Sequence, residues 1–145
     1  MFKNIFRKDP QSKDKDNEKS ILITALLIHA AKMDENFTDV ELKIIKEAIK
    51  NIFNLEKKEV DNVFNLAEKR EKDSNQIIEF TKKIKQEEMN FRLKILELLW
   101  EIIYSDKNAD VYETNLIRRI CGLLYISNKE AGNIKEKIKL KFTSK

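Results

Sequence analysis

The stretch LLWEIIYSDKNADVYETNLIRRICGLLYIS, residues 98–127, decides how this chain folds. It opens inside a run that is apolar on nearly every side: Ile95, Leu96, Leu98, Leu99, Trp100, Ile102 and Ile103. A helix that is apolar around most of its circumference belongs in the middle of a bundle. That helix reads as about Phe91–Tyr104, and a short polar loop follows it. Asp110 then stands three residues before Glu113, the spacing of a capping box. The first side chain caps a free backbone N–H and the Glu reaches back to another. An amphipathic helix over about Val111–Tyr125 comes next. Ser127 and Glu130 repeat the capping spacing and start a last helix that runs to about Lys141.

The same arrangement occurs earlier in the chain. With residue 34 aligned to residue 106, an offset of 72, Leu26-Leu27 falls on Leu98-Leu99. Asp34, Asn36, Thr38 and Glu41 fall on Asp106, Asn108, Asp110 and Glu113. Ile45 falls on Ile117, Ala48 on Ile120 and Phe53 on Tyr125. The repeated unit is a buried helix, a loop of pattern Asp-x-Asn-x-(Thr/Asp)-x-x-Glu, and an amphipathic helix. One such unit cannot bury its own apolar face, so two packed together should make the domain, a pseudo-two-fold bundle.

Outward from the two loops, the other helices read as follows. The first covers about Glu18–Met33 and is apolar almost all round. The second covers Asp39–Phe53, with Ile44, Ile45, Ala48, Ile49 and Ile52 on one stripe. The third, about Glu56–Lys72, turns Val60, Val63, Phe64 and Ala67 inward, and the fourth, about Asn75–Gln86, uses Ile77, Ile78, Thr81 and Ile84. The chain is therefore all-α, with about seven helices. Two glycines and one proline in 145 residues agree with helices joined by short turns rather than with sheets. Residues 1–19 read as a flexible amino-terminal tail and linker, and 20–145 as the helical domain. The tail begins with a hydrophobic-basic patch, Phe2, Ile5 and Phe6 among Lys3, Arg7 and Lys8, and Asp9–Lys19 is polar around the one proline. Met1–Ser20 lacks the apolar core of a cleavable signal peptide. Ile21–Ala31, the longest apolar stretch, falls short of the ~20 residues that span a bilayer. The single cysteine, Cys121, sits among Ile120 and Leu123-Leu124 and reads as a small core residue in a reducing compartment.

HAAKMDENFTDVE, residues 29–41, and above all residues 98–127 resemble the TerB-like tellurite-resistance family, in its large uncharacterised branch. The similarity covers about Ser20–Leu140. The family motif is an apolar helix ending in Ala-Asp-Gly, a few residues, then a Glu opening the next helix; it occurs twice, as here. The resemblance implies an all-helical duplicated bundle, a cytoplasmic home, no known catalysis, and a role for the acidic loops in divalent-cation binding. The chain departs from the motif at the glycine, which is Glu35 in the first loop and Lys107 in the second. A left-handed residue there would fall to Asn36 or Asn108, since Asn tolerates that region.

Asp34, Glu41, Asp106 and Glu113 are the candidate metal ligands, hard oxygens suited to Ca2+ or Mg2+. They do not form EF-hands, whose sixth and twelfth positions are here Asp39 and Ile45, then Val111 and Ile117. The competing reading makes Glu41 and Glu113 capping-box residues and leaves the aspartates to close the preceding helices. No other cofactor is indicated. His29, the one histidine, lies inside the first buried helix, where Glu101 is its repeat mate, and reads as a hydrogen-bonded residue at the edge of the core. Gly122 and Gly132 stand alone within helices, which excludes a phosphate-binding loop. Trp100 and Tyr104 read as core. Arg118-Arg119 would pair with carboxylates across the bundle or with an anionic partner.

Lys135, Lys137, Lys139, Lys141 and Lys145 make the carboxyl end basic, and with the amino-terminal patch suggest a weak contact with an anionic membrane surface. The net charge of +4 has both signs interspersed, a solvated helical surface more than a nucleic-acid face. The expected function is a non-catalytic binding module with a protein partner, responsive to a divalent cation, in a stress-response or membrane-associated assembly. Its expected place is the cytoplasm, at the inner face of the membrane where it is peripheral. One alternative is a membrane-surface adaptor anchored by its amino terminus. Another is a carboxylate–metal enzyme in which Glu101, Asp106 and Glu113 converge with His29 or Asp34 around one ion.

Overall fold

Among the described residues seven α-helices follow one another: α1 (Pro10–Ala31), α2 (Asp39–Phe53), α3 (Lys57–Asp73), α4 (Ile77–Thr81), α5 (Met89–Ser105), α6 (Val111–Leu123) and α7 (Asn128–Thr143). A 3₁₀ turn over Ile84–Gln86 separates α4 from α5. The computed structural model describes residues 10–32, 38–73, 77–105 and 111–143, and no strand occurs among them. Two boundaries differ most from the sequence reading. The first helix starts at Pro10, not near Glu18, because proline lacks the N–H that a first helical turn leaves unpaired anyway. The fourth helix stops at Thr81, whose hydroxyl donates to the Ile78 carbonyl at 3.2 Å; such side-chain bonds compete with continued helix.

The two helices read as central are central. α1 is buried without a break from Ser20 to Ile28, and α5 buries Ile95, Leu96 and Leu98 through Trp100. α1 packs chiefly on α3, α5 chiefly on α7, and the two central helices meet each other and α2. Leu26, Leu27, Leu96 and Leu99 are fully buried, each contributing about 1.5–3 kcal/mol by leaving water. Arg92 of α5 ties the connections together, donating to the Glu87 carbonyl at 3.0 Å and to the Leu124 carbonyl at 2.7 Å.

The duplication is visible in the order of elements: α1–α2–α3 is repeated as α5–α6–α7, with α4 between. α2 begins at Asp39 and α6 at Val111, which keeps the offset of 72. At their far ends the offset falls by one. Asn54 is left-handed (φ 52°) and Leu55 donates its N–H to the Lys50 carbonyl at 3.1 Å. The matching turn has Tyr125 left-handed (φ 56°) and Ile126 donating to the Cys121 carbonyl at 2.9 Å. Tyr125 therefore corresponds to Asn54, and the pairing of Phe53 with Tyr125 is corrected. Beyond the turn Val60, Val63 and Ala67 correspond to Ala131, Ile134 and Ile138, all at least half-buried.

Candidate functional site

Of the four candidate metal ligands, Glu41 is the one whose side chain lies among the described residues. Asp34 and Asp106 lie outside them, as do Glu35, Asn36, Lys107 and Asn108. Glu113 falls in α6, but its side chain is outside the described part. Glu41 is buried and completes a full capping box at the start of α2. Its N–H donates to Thr38 Oγ1 at 3.2 Å, while its Oε1 accepts from the Thr38 N–H at 2.9 Å and from the Thr38 hydroxyl at 3.0 Å. The carboxylate thus already answers a free backbone donor and the local excess of positive dipole at a helix start. Ser127 caps α7 in the same manner, its Oγ accepting from the Glu130 N–H at 3.2 Å. A third device was not foreseen: Glu59 reaches back to the Glu56 N–H at 3.0 Å to start α3.

The charged centre of the first unit was also not foreseen. Glu71 of α3 is buried, and its two oxygens are taken by the end of α1 and the residue that follows it. Lys32 Nζ donates to Oε1 at 2.9 Å, and His29 Nδ1 stands 3.1 Å from Oε2. Burial alone would push this carboxyl up, but the hydrogen bonds from Lys32 and His29 outweigh it and hold the carboxyl below its ordinary range. His29 is a hydrogen-bonded residue at the edge of the core, as read, with Phe80 tilted against it at 6.3 Å between ring centroids. The signal for Glu71 was present in α3. The apolar stripe of Val60, Val63, Phe64 and Ala67 continues at helical spacing onto position 71.

The second unit holds the corresponding seam with the charges exchanged. Glu101 and Glu97 of α5 accept from Lys141 and Lys137 of α7 at 3.2 Å and 3.4 Å. Part of the basic carboxyl end is thereby engaged with α5. Glu101 and His29, offered as ligands of one metal centre, each have another partner. Among the described residues no three His, Cys, Asp or Glu side chains gather where they could hold a metal. Trp100 and Tyr104 stack at 5.5 Å, and Lys135 lies 5.5 Å above the indole; the buried Trp100 Nε1–H has no hydrogen-bond acceptor among the described residues. Cys121 is buried, which pushes its thiol up to about 11. Arg118 and Arg119 are both exposed on α6.

Two helical units, each pairing a buried helix with one that ends in a left-handed turn, define an all-α domain of duplicated origin. Residues 20–136 match the family model of the tellurite resistance protein TerB, and the chain belongs to that family. No curated protein and no solved structure matches it.

Proposed function

We propose that this TerB-family chain is a non-catalytic interaction module with a protein partner, responsive to a divalent cation, in a stress-response or membrane-associated assembly. The observation that supports it best is how its chemistry-bearing groups are engaged. Glu71 holds α1 to α3, Glu41 holds the start of α2, and the Cys121 thiol, raised to about 11, is far from the thiolate that nucleophilic chemistry uses. Each acts on the fold rather than on a substrate. No helix among the described residues is long and apolar enough to cross a membrane. In this reading the module works in the cytoplasm and reaches the membrane through its partner. Cross-linking in the native cells followed by pull-down should recover a defined protein, also after removal of Met1–Lys8. Loss of that protein on truncation, together with sedimentation of the full chain on anionic vesicles, would replace the module with a membrane-surface adaptor.

The cation response is proposed for the two acidic loops. Glu41 already serves its capping box, so the reading rests most on Asp34 and Asp106. Ca2+ or Mg2+ should raise the melting temperature, because a ligand that binds the folded chain stabilises it by mass action. Asp34→Asn and Asp106→Asn keep the shape and capping ability of the side chains and remove the charge. Both should blunt the effect. Titration calorimetry showing no heat with Ca2+, Mg2+, Mn2+ or Zn2+ at millimolar concentration would overturn it and leave the loops as structural corners.

A further inference from the structure

Helix α2 has an open groove along each side. Between α2 and α3 lies a space of about 520 Å³ lined by Lys43, Lys46, Lys50, Lys57, Val60 and Asp61. Between α2 and α5 lies one of about 380 Å³ whose apolar lining is Ile44, Ala48, Ile52 and Leu98, with Lys94 and Glu101 beside them. Lys43 and Glu47 border both, so the two grooves flank one ridge of α2.

The charges around this face do not cancel. Asp61 is paired with Lys46 at 3.1 Å and Glu101 with Lys141 at 3.2 Å. Lys43, Lys50, Lys57 and Lys94 then stand against Glu47. An apolar trough beside a basic one has the pattern that receives a helix with acidic residues along one side of its apolar stripe. Ile44, Ala48 and Ile52 follow one another at four-residue spacing, so the trough extends for about 12 Å along α2, room for two turns of a partner helix. The chain's own hydrophobic segment is the wrong occupant: Met1–Lys8 carries Lys3, Arg7 and Lys8 and no acidic residue. A second copy, at net charge +4, also brings the wrong sign.

We propose that the α2 face is the docking site for an acidic amphipathic helix of a partner protein. Its apolar side would cover Ile44, Ala48, Ile52 and Leu98, and its carboxylates would lie over Lys43, Lys50 and Lys57. The proposal rests on the interaction-module reading and names the surface that module uses. The probe is a fluorescein-labelled peptide with Leu at helical spacing and Glu at the remaining positions, titrated with the full chain and read by anisotropy. Lys43→Glu/Lys50→Glu should weaken binding by about tenfold or more, since both changes turn attraction into repulsion. The charge-matched control Lys69→Glu/Lys82→Glu, on exposed positions away from the grooves, should leave it nearly unchanged. A peptide with Lys for Glu, or one of the same composition with the helical spacing scrambled, should bind weakly. Equal loss in the control variant, or equal binding of the scrambled peptide, would reduce the effect to net charge and overturn the proposal. So would a chain that ignores the peptide but sediments on phosphatidylglycerol vesicles through the same lysines. A native partner recovered equally by wild type and Lys43→Glu/Lys50→Glu would overturn the groove while leaving the interaction module intact.

Discussion

Glu71 shows how one buried side chain can carry the join between two helices. It sits on α3 at a position the apolar stripe would assign to the core, and it is 7% exposed. Its cost of desolvation is offset because His29 of α1 and Lys32, just past the end of that helix, both reach it. With the folded-state carboxyl below its ordinary range, the unfolded chain takes up a proton first as the pH falls. The stabilisation is thus complete above the ordinary carboxylate range and is lost as the pH drops through that range toward the folded value. Glu71→Gln should cost about 1–3 kcal/mol at neutral pH, the penalty for leaving buried polar groups badly paired. It should also make the acid side of the stability curve shallower. Urea unfolding across a pH series measures both, and an unchanged acid limb would show that Glu71 is not the group that titrates. Its position continues the local stripe, but its pairing escaped sequence reading because the partners lie 39 and 42 positions away. Glu41 was legible because its partner, Thr38, is three residues away.

At the level of the helix, starts were easier to read than ends. Thr38 and Ser127 announce α2 and α7 by side-chain chemistry that works over one turn, and the sequence places both starts where the structure has them. Pro10, read as part of a linker, instead opens α1, since a residue that interrupts a helix interior is compatible with its first turn. The left-handed residues that end α2 and α6 were missed because neither is glycine. Asn54 tolerates that conformation, whereas a left-handed residue with an ordinary side chain costs roughly 1–2 kcal/mol. Tyr125 bears this cost while 68% exposed, with Lys85 6.0 Å above its ring as the contact in return. Tyr125→Gly should therefore stabilise the chain, by up to about 1 kcal/mol after the greater backbone entropy of glycine in the unfolded state is set against the relief. Asn54→Gly should change less. Thermal melts of the two variants decide it, and a loss of stability in Tyr125→Gly would mean that the ring contact outweighs the strain.

For the whole molecule, the question is whether duplication makes two folding units or one. Sequence periodicity located the two buried helices and their repeat relation, since a helix apolar on every side leaves few alternatives. It could not show how they share a core, which depends on contacts between residues far apart in the chain. The structure joins them: α1 packs on α5 as well as on α3, and α2 contacts both central helices. The buried apolar residues form one cluster that runs through both units. Leu27 and Leu99, repeat mates at the offset of 72, are both 0% exposed within it. Leu27→Ala and Leu99→Ala should each cost about 2–5 kcal/mol, because each opens a cavity that the surrounding helices cannot fully close. Each loss should lower the stability of the entire chain, so denaturant unfolding should remain a single transition when followed by Trp100 fluorescence and by helical circular dichroism. Trp100 reports from the second unit, which makes Leu27→Ala the sharper test. If its unfolding midpoint by fluorescence stayed at the wild-type value while the helical signal fell earlier, the first unit would be unfolding by itself. Coincident midpoints would place the two repeats in one cooperative structure, as a single apolar cluster requires.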